Sequence, residues 1–243
     1  MSDIKSINRQ FFVALISFVV IIVVALVGTL LAYIYIKNYN ITYPIYLTVL
    51  LLMIFISSRY KNTFDQIANL SYIIKIRGNE AKPLDIHKLV NLDHANIVFK
   101  KYDYLHFSQD NAYSIYYKVT KDHIKKIFRH YILTIIVVLH NKNADFYLDR
   151  VDKEINKLRD QQYKEKRKVD RLIITQIKEI SDLSDATKET IKEIVFIRTN
   201  RIVISTINVG LYKTAQKAVM LYSDTYSPSL YYNYHIDEIK NVI

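Results

Sequence analysis

The pattern in this chain that comes nearest to catalysis is Gln176-Ile177-Lys178-Glu179, set in a largely apolar run from Leu172 to Ile180. Alternate side chains of a strand share a face, so Gln176 and Lys178 point the same way. An amide or carboxylate two residues before a lysine can hold a divalent metal and orient a water for attack on a phosphodiester. That chemistry also needs an acid on a neighbouring strand. The preceding strand-like run, Tyr131 to Leu139, contains none. A polar pair at a sheet end or solvated edge is therefore the expectation for Gln176 and Lys178, with a metal-dependent, nuclease-like hydrolase as its rival.

Two other groupings carry reactive or charged side chains. Between Tyr222 and Asp237, the residues Asp224, Thr225, Ser227 and His235 combine a carboxylate, hydroxyls and an imidazole. Ser227-Pro228 reads as an N-cap followed by proline at the first helical position. A pocket for an anion or small ligand could form there, at a strand end beside a helix N-terminus. The plainer expectation is a capped helix packing its aromatics on a sheet. The basic run Lys164, Lys166, Arg167, Lys168 and Arg171 is the densest in the chain. At the C-terminal end of a helix such cations complement the helix dipole; they also suit anionic lipid headgroups or nucleic acid. Asp145, Asp149, Asp152, Glu154 and Asp160 lie just upstream and dilute the positive field, which disfavours nucleic acid as a partner.

Composition removes several chemistries. Gly28, Gly78 and Gly210 are the only glycines and each stands alone, so no glycine-rich phosphate loop can form. Without cysteine there is no disulfide, thiolate metal site or thiol nucleophile. His87, His94, His106, His123, His130, His140 and His235 make no compact pair at helical spacing. The sequence calls for no metal and no cofactor. Its 21 tyrosines and three glycines fit AT-rich coding in a low-GC bacterium and argue for no particular chemistry.

The elements that must hold these residues follow from periodicity. Tyr131 to Leu139 is a continuous β-branched run, which predicts a central strand covered on both faces. Leu148, Val151, Ile155 and Leu158 recur at helical spacing, predicting an amphipathic helix from Ala144 to about Lys168, capped by Asn143 or Asp145. Asn96 to Phe107 and Ala112 to Val119 read as a hairpin across Ser108-Gln109-Asp110-Asn111. A strand is expected at Ser71 to Ile76, a short helix at Leu84 to Leu92, and another short helix after Ser184, to about Glu193. Val195 to Arg198 and Ile202 to Leu211 read as extended. Lys217 to Tyr222 can pair back as a second hairpin, and a terminal helix runs to about Val242. Strands and helices alternating in this way imply an α/β domain with a mixed sheet flanked by helices.

Ahead of that domain stand two stretches free of charged side chains, Phe11 to Ile36 and Ile41 to Ser58, parted only by Lys37-Asn38-Tyr39-Asn40. As helices they would reach roughly 39 and 27 Å against a hydrocarbon core of about 30 Å. The first is too long for a signal-peptide core and meets no small-x-small cleavage site. The expectation is a transmembrane α-helical hairpin over residues 1–61, with a cytosolic α/β domain over 62–243. Lys5, Arg9, Arg59 and Lys61 flank the outer ends of the spans, which predicts both termini in the cytoplasm of a cell bounded by an inner or plasma membrane. Net charge is +11, of which +4 lies before residue 62. The functional expectation is a membrane-tethered binding or adaptor module for a protein partner. Its lipid contact would be made through residues 11–58, with anionic headgroups as a further partner; a small-molecule sensor is a further alternative.

Overall fold

The computed structural model describes residues 2–124, 130–199 and 202–243. The chain divides into two compact units, residues 1–74 and 75–243.

The first unit is a pair of antiparallel helices, α1 (Ser2–Tyr35) and most of α2 (Tyr39–Gly78). Both are long and apolar enough to cross a membrane. Ring contacts join them from the middle of each helix outward, away from the turn. Phe18 lies 4.9 Å from Tyr60 and Phe11 lies 5.6 Å from Phe64, between ring centres. Ser17 Oγ and Tyr60 Oη are 2.6 Å apart in a hydrogen bond. A stripe of α1 that includes Phe18, Ile22 and Ala25 is half-buried, and most of the remaining large apolar side chains are exposed, Phe12 at 59% and Phe55 at 62%. The strand expected at Ser71 to Ile76 is the last part of α2 instead. Local β-propensity is a weak prior, and nothing stops the helix before Gly78.

The second unit is built on one mixed sheet. Its strands are β1 (Leu84–Asp85), β2 (Leu105–Gln109), β3 (Tyr113–Lys121), β4 (Tyr131–Leu139), β5 (Val169–Glu179), β6 (Val195–Arg198), β7 (Val203–Tyr212) and β8 (Lys217–Val219). The order is β1-β8-β7-β5-β4-β3-β2. Strands β2, β3 and β4 form an antiparallel meander, whereas β4, β5 and β7 run parallel. The outer edge of β7 is shared, with β6 on its first half and β8 on its last. β4 occupies the residues read from the sequence and is buried almost throughout.

Parity assigns the two faces. Leu133, Ile135 and Val137 of β4 join Leu172 and Ile174 of β5 on the face covered by α4 (Asp149–Lys164) and α5 (Asp185–Ile191). On the opposite face, Ile132, Ile173 and Val203 pack with Tyr231 of α6 (Leu230–Val242). Both parallel crossovers therefore lie on one face, and the strand order never reverses between them. An α/β sheet binds ligands by preference where that reversal opens a crevice, and this sheet has none between β4, β5 and β7.

Several boundaries differ from those the sequence predicts, each for a physical reason. α4 begins at Asp149 rather than Ala144, with Leu148 at its N-cap and no side-chain cap. Residues 144–147 are held in a loop by groups on β5, described below. Leu84 to Leu92 is no helix: β1 pairs with β8, and the backbone N–H groups of His87, Lys88 and Leu89 all donate to the carbonyl of Ile243. Asn96 to Lys101 lies in the short helix α3 (Ala95–Lys101), which buries Ala95 and Phe99 at i,i+4 spacing. Ser184 caps α5 as expected, its Oγ accepting from Thr187 N–H. The last helix is capped two residues late, by Ser229 in place of Ser227. At Gly210 an added Cβ would come within 2.6 Å of the Ile191 side chain, which would have to shift, so glycine there suits the close seat of α5 on β7.

Candidate functional site

Gln176 and Lys178 do share a face of β5, but β5 is an interior strand and both side chains are buried. Each is spent on the loop that follows β4. Gln176 Oε1 accepts from Tyr147 N–H at 3.0 Å, and Lys178 Nζ donates to the Ala144 carbonyl at 2.7 Å. The ammonium also sits 4.3 Å from the centre of the Phe146 ring. Burial lowers the Lys178 pKa, with Asp145 pulling the other way.

The loop they hold is bent. Tyr147 has φ of 64°, a left-handed conformation that costs an aromatic residue energy and persists only when neighbours enforce it. Its far end is fixed too: Tyr147 Oη donates to Glu193 O at 2.5 Å, beside Asn208 Nδ2 at 2.7 Å from the same carbonyl. Burial pushes the phenol pKa up to about 12. Gln176 and Asn208 are register partners across β5 and β7. One row of buried amides thus pins the loop after β4 and the end of α5. No local pattern marks Tyr147 and Asn208 for this role, because their partners come from distant segments.

Beyond Lys178 the ends of β4 and β5 form a cleft of about 310 Å³, lined by Lys142, Asn143, Asp145, Lys178, Asp182 and Thr187 among others. Its charges are largely engaged with one another. Lys142 pairs with Glu179 at 3.1 Å, and Lys213 binds the same carboxylate. Asp182 accepts from Thr187 Oγ1 at 2.7 Å and from Ser184, which holds its carboxyl below the usual range. The cleft can admit a small polar ligand. No cluster of three His or carboxylate groups with metal-binding geometry is found among the described residues.

The structure does not assemble Asp224, Thr225, Ser227 and His235 into a pocket. Asp224 pairs with Lys240, Thr225 N–H donates to Ser223 Oγ, and Ser227 Oγ donates to Ser229 O. His235 is fully buried on the other side of α6, with Nε2 at 3.0 Å from Thr175 Oγ1 and Nδ1 at 2.8 Å from Ser205 Oγ. Burial lowers its pKa to about 3, so it is a neutral strut between β5 and β7.

The basic run divides. Arg171 is buried, its Nε 3.7 Å from Asp122 Oδ2 and its guanidinium over the Tyr231 ring; Tyr231 Oη donates to Asp122 at 2.5 Å. Lys164, Lys166 and Lys168 are exposed at the end of α4 and the start of β5. Arg167 bonds Gln162 and Glu165, and Lys168 lies 3.6 Å from Asp170.

The chain matches no protein-family model, no curated protein and no solved structure at a significant level.

Proposed function

We propose that this protein is a membrane-anchored binding module, crossing a bilayer twice through residues 11–58 and presenting its α/β unit on the cytoplasmic side as a docking or adaptor domain. The carrying observation is the surface of the helical hairpin, most of whose large apolar side chains are exposed outside a half-buried stripe and which carries no charged side chain from Phe11 to Ile36. Removing one such side chain from water contributes about 1.5–3 kcal/mol, so lipid is the favourable surrounding.

Counting about 20 helical residues for a 30 Å core, outward from the turn at 36–38, reaches the level of Phe18 and Ser58. The hydrogen-bonded Ser17 and Tyr60 and the rings of Phe11, Phe18 and Phe64 fall beside that level, where aromatic groups favour the headgroup zone. Lys5, Arg9, Arg59 and Lys61 lie beyond it, which favours cytoplasmic termini and an external Lys37–Asn40 turn. Binding rather than hydrolysis is supported by the use of Gln176, Lys178, Asn208 and His235 as internal fastenings.

Topology is tested by introducing a cysteine at Asn38 into this cysteine-free chain. A membrane-impermeant thiol reagent added to intact cells should label it, and protection there with labelling at a cysteine placed at Asn62 would invert the assignment. The binding half is tested with the purified full chain and DNA or RNA in the presence of divalent metal. No cleavage is expected; cleavage abolished by Lys178→Ala in a folded protein would replace this reading with the nuclease-like one.

A further inference from the structure

Register and topology gather the basic residues of the α/β unit at one end of its sheet. Lys121 at the end of β3 faces Tyr131 across the ladder, and Tyr131 pairs with Val169, next to Lys168. Arg171 pairs with Val203, which pairs with Arg198 at the end of β6. The α4–β5 connection brings Lys164, Lys166 and Arg167 to the same end. Of the acids here, Asp122 is buried against Arg171, while Asp170 lies beside His130 and Lys168, and Glu165 pairs with Arg167. Asp160 lies one turn back on α4. The opposite end is mixed in sign, with Asp145, Glu179, Asp182 and Asp185 among Lys142, Lys178 and Lys213.

Exposed apolar side chains collect at the same basic end. Ile197 and Ile202 flank the β6–β7 connection, Leu230 opens α6 at 66% exposure, and Tyr163 stands beside Arg167. Cations surrounding a few protruding apolar groups form the surface of a domain that rests on an anionic lipid leaflet, with headgroups for the cations and the acyl boundary for the apolar tips.

Arg198 is tied into this end as well, its Nη1 donating to the carbonyl of Pro228 at 2.9 Å, two residues ahead of Leu230. We infer that the surface formed by Lys121, Lys166, Lys168 and Arg198 with Ile202 and Leu230 docks on the anionic headgroups of the membrane that holds the hairpin. This rests on the two-span reading, since the tether supplies the proximity that makes a modest surface sufficient.

The test uses the full chain with one introduced cysteine, Leu230→Cys, carrying an environment-sensitive fluorophore, and a control at the opposite end, Asp185→Cys. Protein is assembled into nanodiscs of phosphatidylcholine, alone or mixed with phosphatidylglycerol. The dye at 230 should shift to the blue only with phosphatidylglycerol, revert in high salt, and lose the shift in Lys121→Glu/Lys166→Glu/Lys168→Glu, whose melting temperature should match the parent. The dye at 185 should not respond. An unchanged spectrum at 230, equal shifts at both positions, or a shift that survives charge reversal would overturn the docking surface. A response to a DNA duplex in phosphatidylcholine discs, with none to phosphatidylglycerol, would reassign it to polynucleotide. Failure to enter phosphatidylcholine discs at all would instead overturn the two-span reading and the docking surface with it.

Discussion

Residues 11–36 and residues 131–139 are both unbroken apolar runs, yet the first leaves its side chains open on most sides and the second leaves almost none. The difference lies in what the rest of the chain can bring to them. β4 is short, its backbone groups are paired by β3 and β5, and its two faces are covered by α4 and α6. α1 satisfies its own backbone, has one partner helix, and asks its surroundings to cover the remainder. Apolarity alone thus predicts burial in both cases; β4 finds its cover within the protein, whereas α1 is long and apolar enough to find it in a bilayer, as proposed above.

A charge placed in each run should separate the two most sharply. Ile136→Asp puts an unpaired carboxylate into β4, a loss of about 4 kcal/mol or more that consumes most of the lower end of the usual margin of about 5–15 kcal/mol, and should leave little of the α/β unit folded. Circular dichroism and protease resistance of the full chain in detergent would read it; an unchanged melt would remove β4 from the core. Val24→Asp, in the middle of α1, carries an insertion cost of about 2.5–3.5 kcal/mol. It should reduce the fraction resisting alkaline extraction while the unit's melting temperature stays put. Equal damage to both properties would erase the distinction.

Acid should act only on the α/β unit, where His235 is buried. An unfolded histidine takes up a proton below about pH 6.5, while His235 stays neutral until about 3. The unfolded state therefore binds more protons within that window, so stability is complete above it and declines as pH falls, by about 1.4 kcal/mol per unit. Melting temperatures from pH 7 to 4 should slope less in His235→Gln than in the parent, at lower absolute stability. Parallel curves would remove His235 as the cause.

The mildest contrast uses two glycines. Gly210→Ala must displace Ile191 and should cost about 1–3 kcal/mol, whereas a Cβ at Gly28 meets nothing, so Gly28→Ala should be neutral or gain up to about 1 kcal/mol of helix propensity. Urea midpoints for the first and extraction resistance for the second would show it. A silent Gly210→Ala would mean α5 sits more loosely on β7 than the 2.6 Å approach implies.

Where the sequence reading succeeded, the deciding forces were local or periodic. The β-branched run Tyr131–Leu139, the helical spacing of Val151, Ile155 and Leu158, and Ser184 with its bond to Thr187 were all legible without the fold. It failed where a distant segment decides. Leu84 to Leu92 is shaped by Gln216 and Ile243, and Ala144 to Tyr147 is kept out of α4 by Gln176 and Lys178. Alternation did identify those two side chains as a pair on one face. It could not say that the pair would hold a loop, because no local pattern names Tyr147 as the recipient. Likewise, composition located Lys164 to Lys168 but not Lys121 or Arg198, which only strand register brings to the same end.

The three N–H groups of residues 87–89 that converge on Ile243, and the pairing of β1 with β8, join the first-made part of the α/β unit to the last. Such contacts have long sequence separation and form late, since the loop they close must be ordered first. During synthesis the helical hairpin would leave the ribosome well before α6, so the early strands must wait with one edge of their sheet unfinished. A nascent chain halted before Leu230 would lack the helix that covers Ile132, Ile173 and Val203. Assembly of this unit is therefore timed by the arrival of its final elements, and the interval before they arrive is when it is most open to wrong pairing.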